Sequence, residues 1–446
     1  MRRSTALAPV VGVDHHHPSS NTRHGRPDPP LGAVAHRKPH LRLLAPGAAV
    51  ALLLSPLAPA SLGSALPAGV PNKGGAVWTW GDYNIFGRGS PALVQVPRIA
   101  GVVGLAVGRG GGGDTDDTDY ALGSDGTVWA WGTGTDGELG NGTTPGTASA
   151  PVKVHGLDNV VAIAAGGDTA YALDKDGSVW AWGTSFNGAL GNGAKQASSD
   201  VPVRVHGLAD VVAIAAGGDT AYALAKDGTV WAWGLGQDGQ LGNGTRAAQS
   251  DVPVQVHGLS DVVTVAGSDS DGYAVRKDGT VWAWGGDKDG QLGNGTRSAG
   301  SDVPVQVHRL TDVAAVAGFN ATDSVIALTK DGTVWHWGAV VDAYSKAPGD
   351  DVPAPVLGLS GAVAIAGGYY TEFAVLRDGA LWAWGDDEDG EMGNCTAALI
   401  AKSLCGLHAA GAYFASAPVQ VPGLHGVVGV AGGYAEELAV VAPKTG

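Results

Sequence analysis

All fourteen tryptophans of this 446-residue chain fall in Trp-x-Trp pairs. The pairs begin at Trp78, Trp129, Trp180, Trp231, Trp282, Trp335 and Trp382, giving spacings of 51, 51, 51, 51, 53 and 47 residues. Self-similarity at a period near fifty means a stack or a ring of units, because one such unit cannot bury its own apolar face. One unit, residues 160–210, holds four short runs of strand character. They are "VVAIAA", "AYALD", "SVWAWG" and "VPVRV", separated by Gly166-Gly167, Asp176-Gly177 and a "GALGNG" loop. Asp-Gly between alternating runs is a hairpin signal, read here as a two-residue turn. Pro202 places the fourth run at a sheet edge, where no second ladder needs its missing N–H. No run of ten or more residues after residue 70 has a helical period.

Four antiparallel strands per unit, repeated around a circle, predict an all-β propeller. The first strand recurs seven times, but the Asp-Gly turn recurs only six, at 125, 176, 227, 278, 331 and 378. The seventh is accounted for at the chain ends. "ELAVVAPKTG" supplies a second strand with nothing after it, and "NKGGAVWTWG" a third strand with nothing before it. Together they predict a seventh blade shared by the N- and C-terminal strands, which leaves no open edge in the ring. Glycine, at 73 residues, fits many tight turns and shows no collagen period. Within a strand, residues i and i+2 share a face, so each Trp pair puts two indoles on one side of its blade, as wedges toward a neighbour.

Ahead of the repeats, residues 1–42 are rich in Pro, His and Arg and read as a disordered or misassigned leader. Residues 43–70 read as the apolar core and cleavage region of a secretory signal, with Arg37, Lys38 and Arg42 before them and Ala58-Pro59-Ala60 or Gly63-Ser64-Ala65 as cleavage sites. Pro46 and Pro56 interrupt the run, so no stable membrane insertion is expected once it is removed. The expected location is secreted or cell-surface, with the cytoplasm the alternative if the run is not a signal. Residues 71–446 form the propeller and hold 20 Lys/Arg against 40 Asp/Glu. A surface of that sign repels phosphate backbones, which excludes nucleic acid as a partner class. Cys395 and Cys405, the only cysteines, lie together in a stretch that departs from the repeat, and are candidates for a local disulfide or for free thiols.

With "AAGGDTAYALDKDGSVWAWG" and "GQLGNGT" (239–245, 290–296) the chain resembles the RCC1-repeat superfamily, in the bacterial branch that also holds the β-lactamase inhibitor BLIP-II. The resemblance spans residues 74–440 and implies a seven-bladed propeller. One departure is consistent: where the family signature has a histidine, this chain has Thr118, Thr169, Thr220, Asp271, Ser324, Thr371 and Glu436. A hydroxyl there is expected to make the same loop-bracing hydrogen bond.

The resemblance implies a protein-binding scaffold, in the BLIP-II case through aromatics in the loops after the first strand. In this chain Phe319, Tyr369, Tyr370 and Tyr434 occupy those loops, beside Asn320, Glu372 and the acidic Asp271, and these seven are the candidate partner-binding residues. The first reading is therefore a non-catalytic, exported, monomeric scaffold that binds a protein, with enzyme inhibition as a specific form. A guanine-nucleotide exchange factor is the second reading, and a propeller enzyme acting on polysaccharide is the third, the latter by fold analogy alone. No nucleophile elbow, Walker loop, HExxH or zinc spacing is present, and no catalytic residue, cofactor or metal is assigned. The acidic stretches 114–119, 269–271 and 386–391 lack EF-hand spacing and read as solvated turns. His155, His206, His257 and His308 recur at one repeat position and read as turn packing; His336 reads as a tolerated replacement of Ala.

Overall fold

The computed structural model describes residues 74–81, 92–109, 117–144, 146–194, 197–318, 323–339, 350–387, 390–393, 414–433 and 436–443. The leader, the signal region, Cys395, Cys405, Phe319, Asn320 and Tyr434 lie outside them. The described residues form seven four-stranded antiparallel sheets. In the unit read above the strands are Val160–Gly166, Thr169–Asp174, Val179–Thr184 and Ser198–Arg204, hydrogen-bonded in that order. The first strands of successive blades contact one another in a cycle, and Val427–Gly432 of the last meets Val102–Arg109 of the first. Blades are numbered below by these first strands, from blade 1 at Val102–Arg109 to blade 7 at Val427–Gly432.

Blade 7 closes the ring as its sequence requires. Its sheet runs Val427–Gly432, Glu437–Val441, Ala76–Trp80 and Val94–Gln95. Trp78 pairs with Ala439, and Val77 with Val440, so the junction is a full ladder between the two ends of the chain. A further bridge joins Gly75 to Val102 of blade 1.

The Asp-Gly turns are one residue longer than the sequence reading. Gly177 N–H donates to Asp174 O at 2.9 Å and Asp174 N–H to Ser178 O at 2.9 Å. Only Gly177 of the pair has positive φ, at 83°. A two-residue type I′ turn would need both residues left-handed. Aspartate instead keeps an ordinary backbone and uses its carboxylate, accepting the N–H two residues on, from Ser178 at 2.9 Å, Thr229 at 3.0 Å and Thr280 at 3.0 Å. This is a type I turn closed by a glycine bulge.

The tryptophan pairs are wedges, and their two members differ in depth. The second indole is 0% exposed at Trp80, Trp131, Trp182, Trp233, Trp284 and Trp337, and 6% at Trp384. Each packs into the core of the preceding blade: Trp233 of blade 3 lies among Tyr171, Leu173, Leu190 and Val205 of blade 2. The first indole of each pair packs against the same cluster but stays half-buried nearer the rim. Edge-to-face contacts recur at this junction, with Tyr171–Trp233 centroids 5.8 Å apart and Tyr222–Trp284 5.8 Å apart. An indole buried in this way contributes through its area and its ring geometry together.

Candidate functional site

Chain direction sorts the connections onto two faces. The loops after the first strand lie on one face, called upper here; the GxLGNG loops leave the third strand on that side and reach back to the connections between blades. The Asp-Gly turns and the connections between blades lie on the other. Across the upper face adjacent blades touch loop to loop, as where Asn187 Nδ2 donates to Asp219 Oδ2 at 2.9 Å. The recurrent histidines of the lower connections are held through their backbones by the GxLGNG loops: His155 N–H donates to Gly140 O at 2.9 Å and His257 N–H to Gly242 O at 2.9 Å. Likewise the Asn-Gly-Thr triplets are turn devices, with Asn243 Oδ1 accepting Thr245 N–H at 3.2 Å and its hydroxyl at 2.8 Å.

The GxLGNG loop seats the next blade's tryptophan. Gln240 O accepts both Tyr222 Oη of its own blade, at 3.0 Å, and Trp284 Nε1 of the next, at 2.8 Å. Ala189 O does the same for Tyr171 and Trp233, each at 2.9 Å. Two lone pairs on one carbonyl thus serve two blades. Gly191, the glycine after the leucine, has φ +60°, and a Cβ there would stand 2.7 Å from the Trp233 ring. Left-handed backbone and an indole at van der Waals contact both demand glycine.

The threonine hydroxyls that stand where the family has histidine behave as expected, whereas Ser324 turns to Glu372 and His336 instead. Thr169 Oγ1 donates to Thr184 O at 2.8 Å, Thr220 Oγ1 to Leu235 O at 3.0 Å and Thr371 Oγ1 to Asp386 O at 3.1 Å, and Thr118 Oγ1 donates to Thr133 O. Each ties the start of the second strand to the end of the third, bracing the upper loop between them.

Of the candidate partner-binding residues, Tyr369 and Tyr370 are half-buried on the upper face and pack edge to face, with centroids 4.5 Å apart. Tyr369 N–H donates to Gly433 O at 2.8 Å, which fixes this loop to blade 7. Asp271 and Glu372 are placed differently from the sequence reading: both are 0% exposed. The sequence pattern sets them in loops, but the second strands begin at Asp271 and Thr371, so their side chains lie inside the blade packing. Asp271 accepts Ser268 Oγ at 3.0 Å and Ser270 Oγ at 3.1 Å; burial, then the Asp323 carboxylate, pushes its pKa well up. Asp323 itself is pushed up to about 6, chiefly by burial.

Glu372 belongs to a buried polar group between blades 5 and 6. Ser324 Oγ donates to Glu372 Oε1 at 2.7 Å and meets His336 Nε2 at 3.0 Å, and that nitrogen is 3.4 Å from Glu372 Oε1. Burial raises the Glu372 pKa, while His336, Ser324 and the Trp384 indole act against it. The composition is that of a hydrolytic triad but the geometry is not. One imidazole nitrogen faces both partners, whereas a triad uses opposite ring nitrogens, and Ser324 is 0% exposed.

The sequence carried an unused signal for this group. Blades 5 and 7 lack the GxLGNG motif, having "GAVVDAYSKAPG" and "GDYNIFGRGSPA" instead. The tryptophan of the following blade, Trp384 or Trp131, then has no such motif to supply its carbonyl. In each case the residue after the hydroxyl position of that following blade is acidic, Glu372 or Asp119, and the indole beside its carboxyl works against the rise in pKa that burial causes. The Trp-x-Trp centre of the preceding blade is polar as well, His336 or Thr79, where blades 1, 2, 3, 4 and 6 have Ala.

Comparison with known proteins agrees with this architecture. The RCC1-like domain (WD40_RLD) matches residues 72–343, well over half of the sequence. The chain belongs to the RCC1-like domain family. Among curated relatives of this RCC1-like propeller, human E3 ubiquitin-protein ligase HERC2 is 31% identical over 349 residues, 74% of this chain but 7% of HERC2. The Arabidopsis thaliana ultraviolet-B receptor UVR8 is 30% identical over 61% of this chain and 64% of its own. The chain thus spans a small part of HERC2 and under two thirds of UVR8. Among solved structures, Prp20p of Saccharomyces cerevisiae superposes with TM-score 0.67 at 20% identity, covering 84% of this chain and 93% of Prp20p. Human WBSCR16 does so with TM-score 0.68 at 21% identity, covering 82% and 98%. At these identities the two structures speak for the fold.

Proposed function

We propose that this RCC1-like propeller is a non-catalytic scaffold that binds a protein through its upper face. The observation that carries the reading is the Tyr369–Tyr370 pair, two half-buried rings locked edge to face on a loop tied to the neighbouring blade. Rigid aromatics of this kind lose little entropy on contact and are frequent anchors of interfaces. The family supports a binding role: Prp20p has been described with its binding to Gsp1p and histones, and in complex with Kap60. The buried Asp271 and Glu372 act beneath the face and not on it. The apolar run in residues 43–70 supports export as the setting, with inhibition of an extracellular enzyme as one form of the role.

Retention from culture supernatant on immobilised propeller tests this. The Tyr369→Ala/Tyr370→Ala double variant is expected to lose at least about 2 kcal/mol of affinity, roughly thirtyfold, as anchor residues do. Leu357→Ala, an 80% exposed site on the lower face, should retain the partner fully. Undiminished capture by the double variant would remove the assignment.

A further inference from the structure

The junction between blades 7 and 1 repeats, with carboxyls, the arrangement that Ser324, His336 and Glu372 make between blades 5 and 6. Glu436 takes the place of Ser324, Thr79 that of His336 and Asp119 that of Glu372. Thr79 Oγ1 donates to Glu436 Oε1 at 2.6 Å, a side-chain bond that joins the N-terminal to the C-terminal strand inside the closing blade. Glu436 is 2% exposed, and Thr79 and Asp119 are 0%. Where the other junction places a hydroxyl and a carboxyl at these two buried positions, this one places two carboxyls, at the junction beside the ladder that completes the ring.

We propose that Glu436 and Asp119 form a proton-dependent clasp: the ring is held shut at blade 7 while the pair is neutral, and loosens there when both carboxyls ionise. The physical reason is that two like charges cannot share a dry site cheaply, so one must keep its proton or the site must open to water. Among the described residues, the ionisable groups that bear on the pair are carboxyls too. Asp117 from blade 1 acts on both, and Glu437, the residue that follows Glu436 and opens the strand, is itself under Glu391 of blade 6 and Asp117. Burial is the largest cause at each. It pushes Glu436 up to about 8 and Asp119 well above the usual carboxylate range.

The sign follows from those directions. A carboxyl whose pKa is raised on folding adds stability that is complete below the unfolded value and is lost as pH climbs through the folded value. For Glu436 the window therefore runs from the ordinary carboxylate value, about 4.5, up to about pH 8, and stability at blade 7 falls as pH rises through it.

Amide hydrogen exchange on the whole chain, expressed as protection factors so that base catalysis cancels, reads this directly. Between pH 6.5 and 9 the protection of residues 76–80 and 437–441 should fall at least about tenfold, one decade per titrated pH unit. Protection of Thr220–Ala225 in blade 3, where the equivalent residues are Thr220 and Ala221, should not change. Glu436→Gln keeps an acceptor for Thr79 without the charge and should abolish most of the fall. Asp119→Asn removes the charge from the other side and provides an independent check should the first variant fold poorly. An equal fall in both variants, or one spread evenly over all seven blades, would overturn the clasp.

Discussion

Trp233→Ala should destabilise the propeller by about 3–5 kcal/mol, the range for deleting a buried aromatic from a packed core. Trp231→Ala, two residues earlier on the same strand face, should cost about half as much or less. The asymmetry follows from position. Trp233 is 0% exposed, lies edge to face on Tyr171, and donates to Ala189 O in the preceding blade at 2.9 Å. Removing it also leaves that carbonyl with one donor and empties the seat lined by Gly191. Trp231 packs on the same cluster but is only half-buried. Trp233→Phe separates the two contributions: it keeps most of the ring and loses the N–H, for a cost of about 1–2 kcal/mol. Urea midpoints of the three variants measure this, and equal losses at positions 231 and 233 would contradict the wedge.

Larger still is the expected effect of removing the closing strand. Deleting residues 437–446 takes away the partner of both Ala76–Trp80 and Val427–Gly432. Two strands of blade 7 then present unpaired edges, and the ring has nothing to shut it. The expected outcome is loss of the closed ring, seen as a shift to early elution or precipitation in size-exclusion chromatography relative to the full chain, with collapse of the near-ultraviolet tryptophan dichroism. Ala439→Pro probes the same point with one residue. Ala439 pairs with Trp78 on one side and Val430 on the other, and a central strand cannot lose its N–H and accommodate the ring. Pro202 shows the contrast, because it lies on Ser198–Arg204, which has a neighbour on one side only. A deletion variant that eluted and melted like the full chain would mean that six blades suffice.

Much of this architecture was legible in the residues because a repeat states each rule several times. The Trp-x-Trp period fixed the blade number, and the unmatched strands at 74–81 and 437–441 fixed the closure. The hydroxyls of Thr169 and Thr220 could be assigned a bracing role because the position recurs in every unit. The single occurrences were harder. Asp271 and Glu372 follow a Gly-rich loop, and the strand boundary falls one or two residues earlier than the apolar pattern suggests, so surface acids became buried ones. Burial of a carboxylate runs against the statistical expectation, and only a partner explains it. For Glu372 the partners are Ser324, His336 and Trp384, drawn from two blades and invisible in any local window. The features that betray them are far apart in the chain: a missing GxLGNG loop, a polar residue inside Trp-x-Trp, and an acid in the next blade. The turn type is hidden in the sequence for a different reason. Asp-Gly is compatible with two hairpin geometries, and the choice is made by the side-chain bond from Asp to the residue two positions on.

The claim that matters most for function is which face of the ring meets a partner. Hydrogen exchange of the propeller with and without its captured protein addresses it most directly. Protection is expected in the upper loops, at residues 167–169, 218–220, 268–270 and above all 368–371, with the lower Asp-Gly turns at 124–127, 175–178 and 226–229 unchanged. Protection confined to those lower turns, with the Tyr369–Tyr370 loop exchanging as it does alone, would contradict the account.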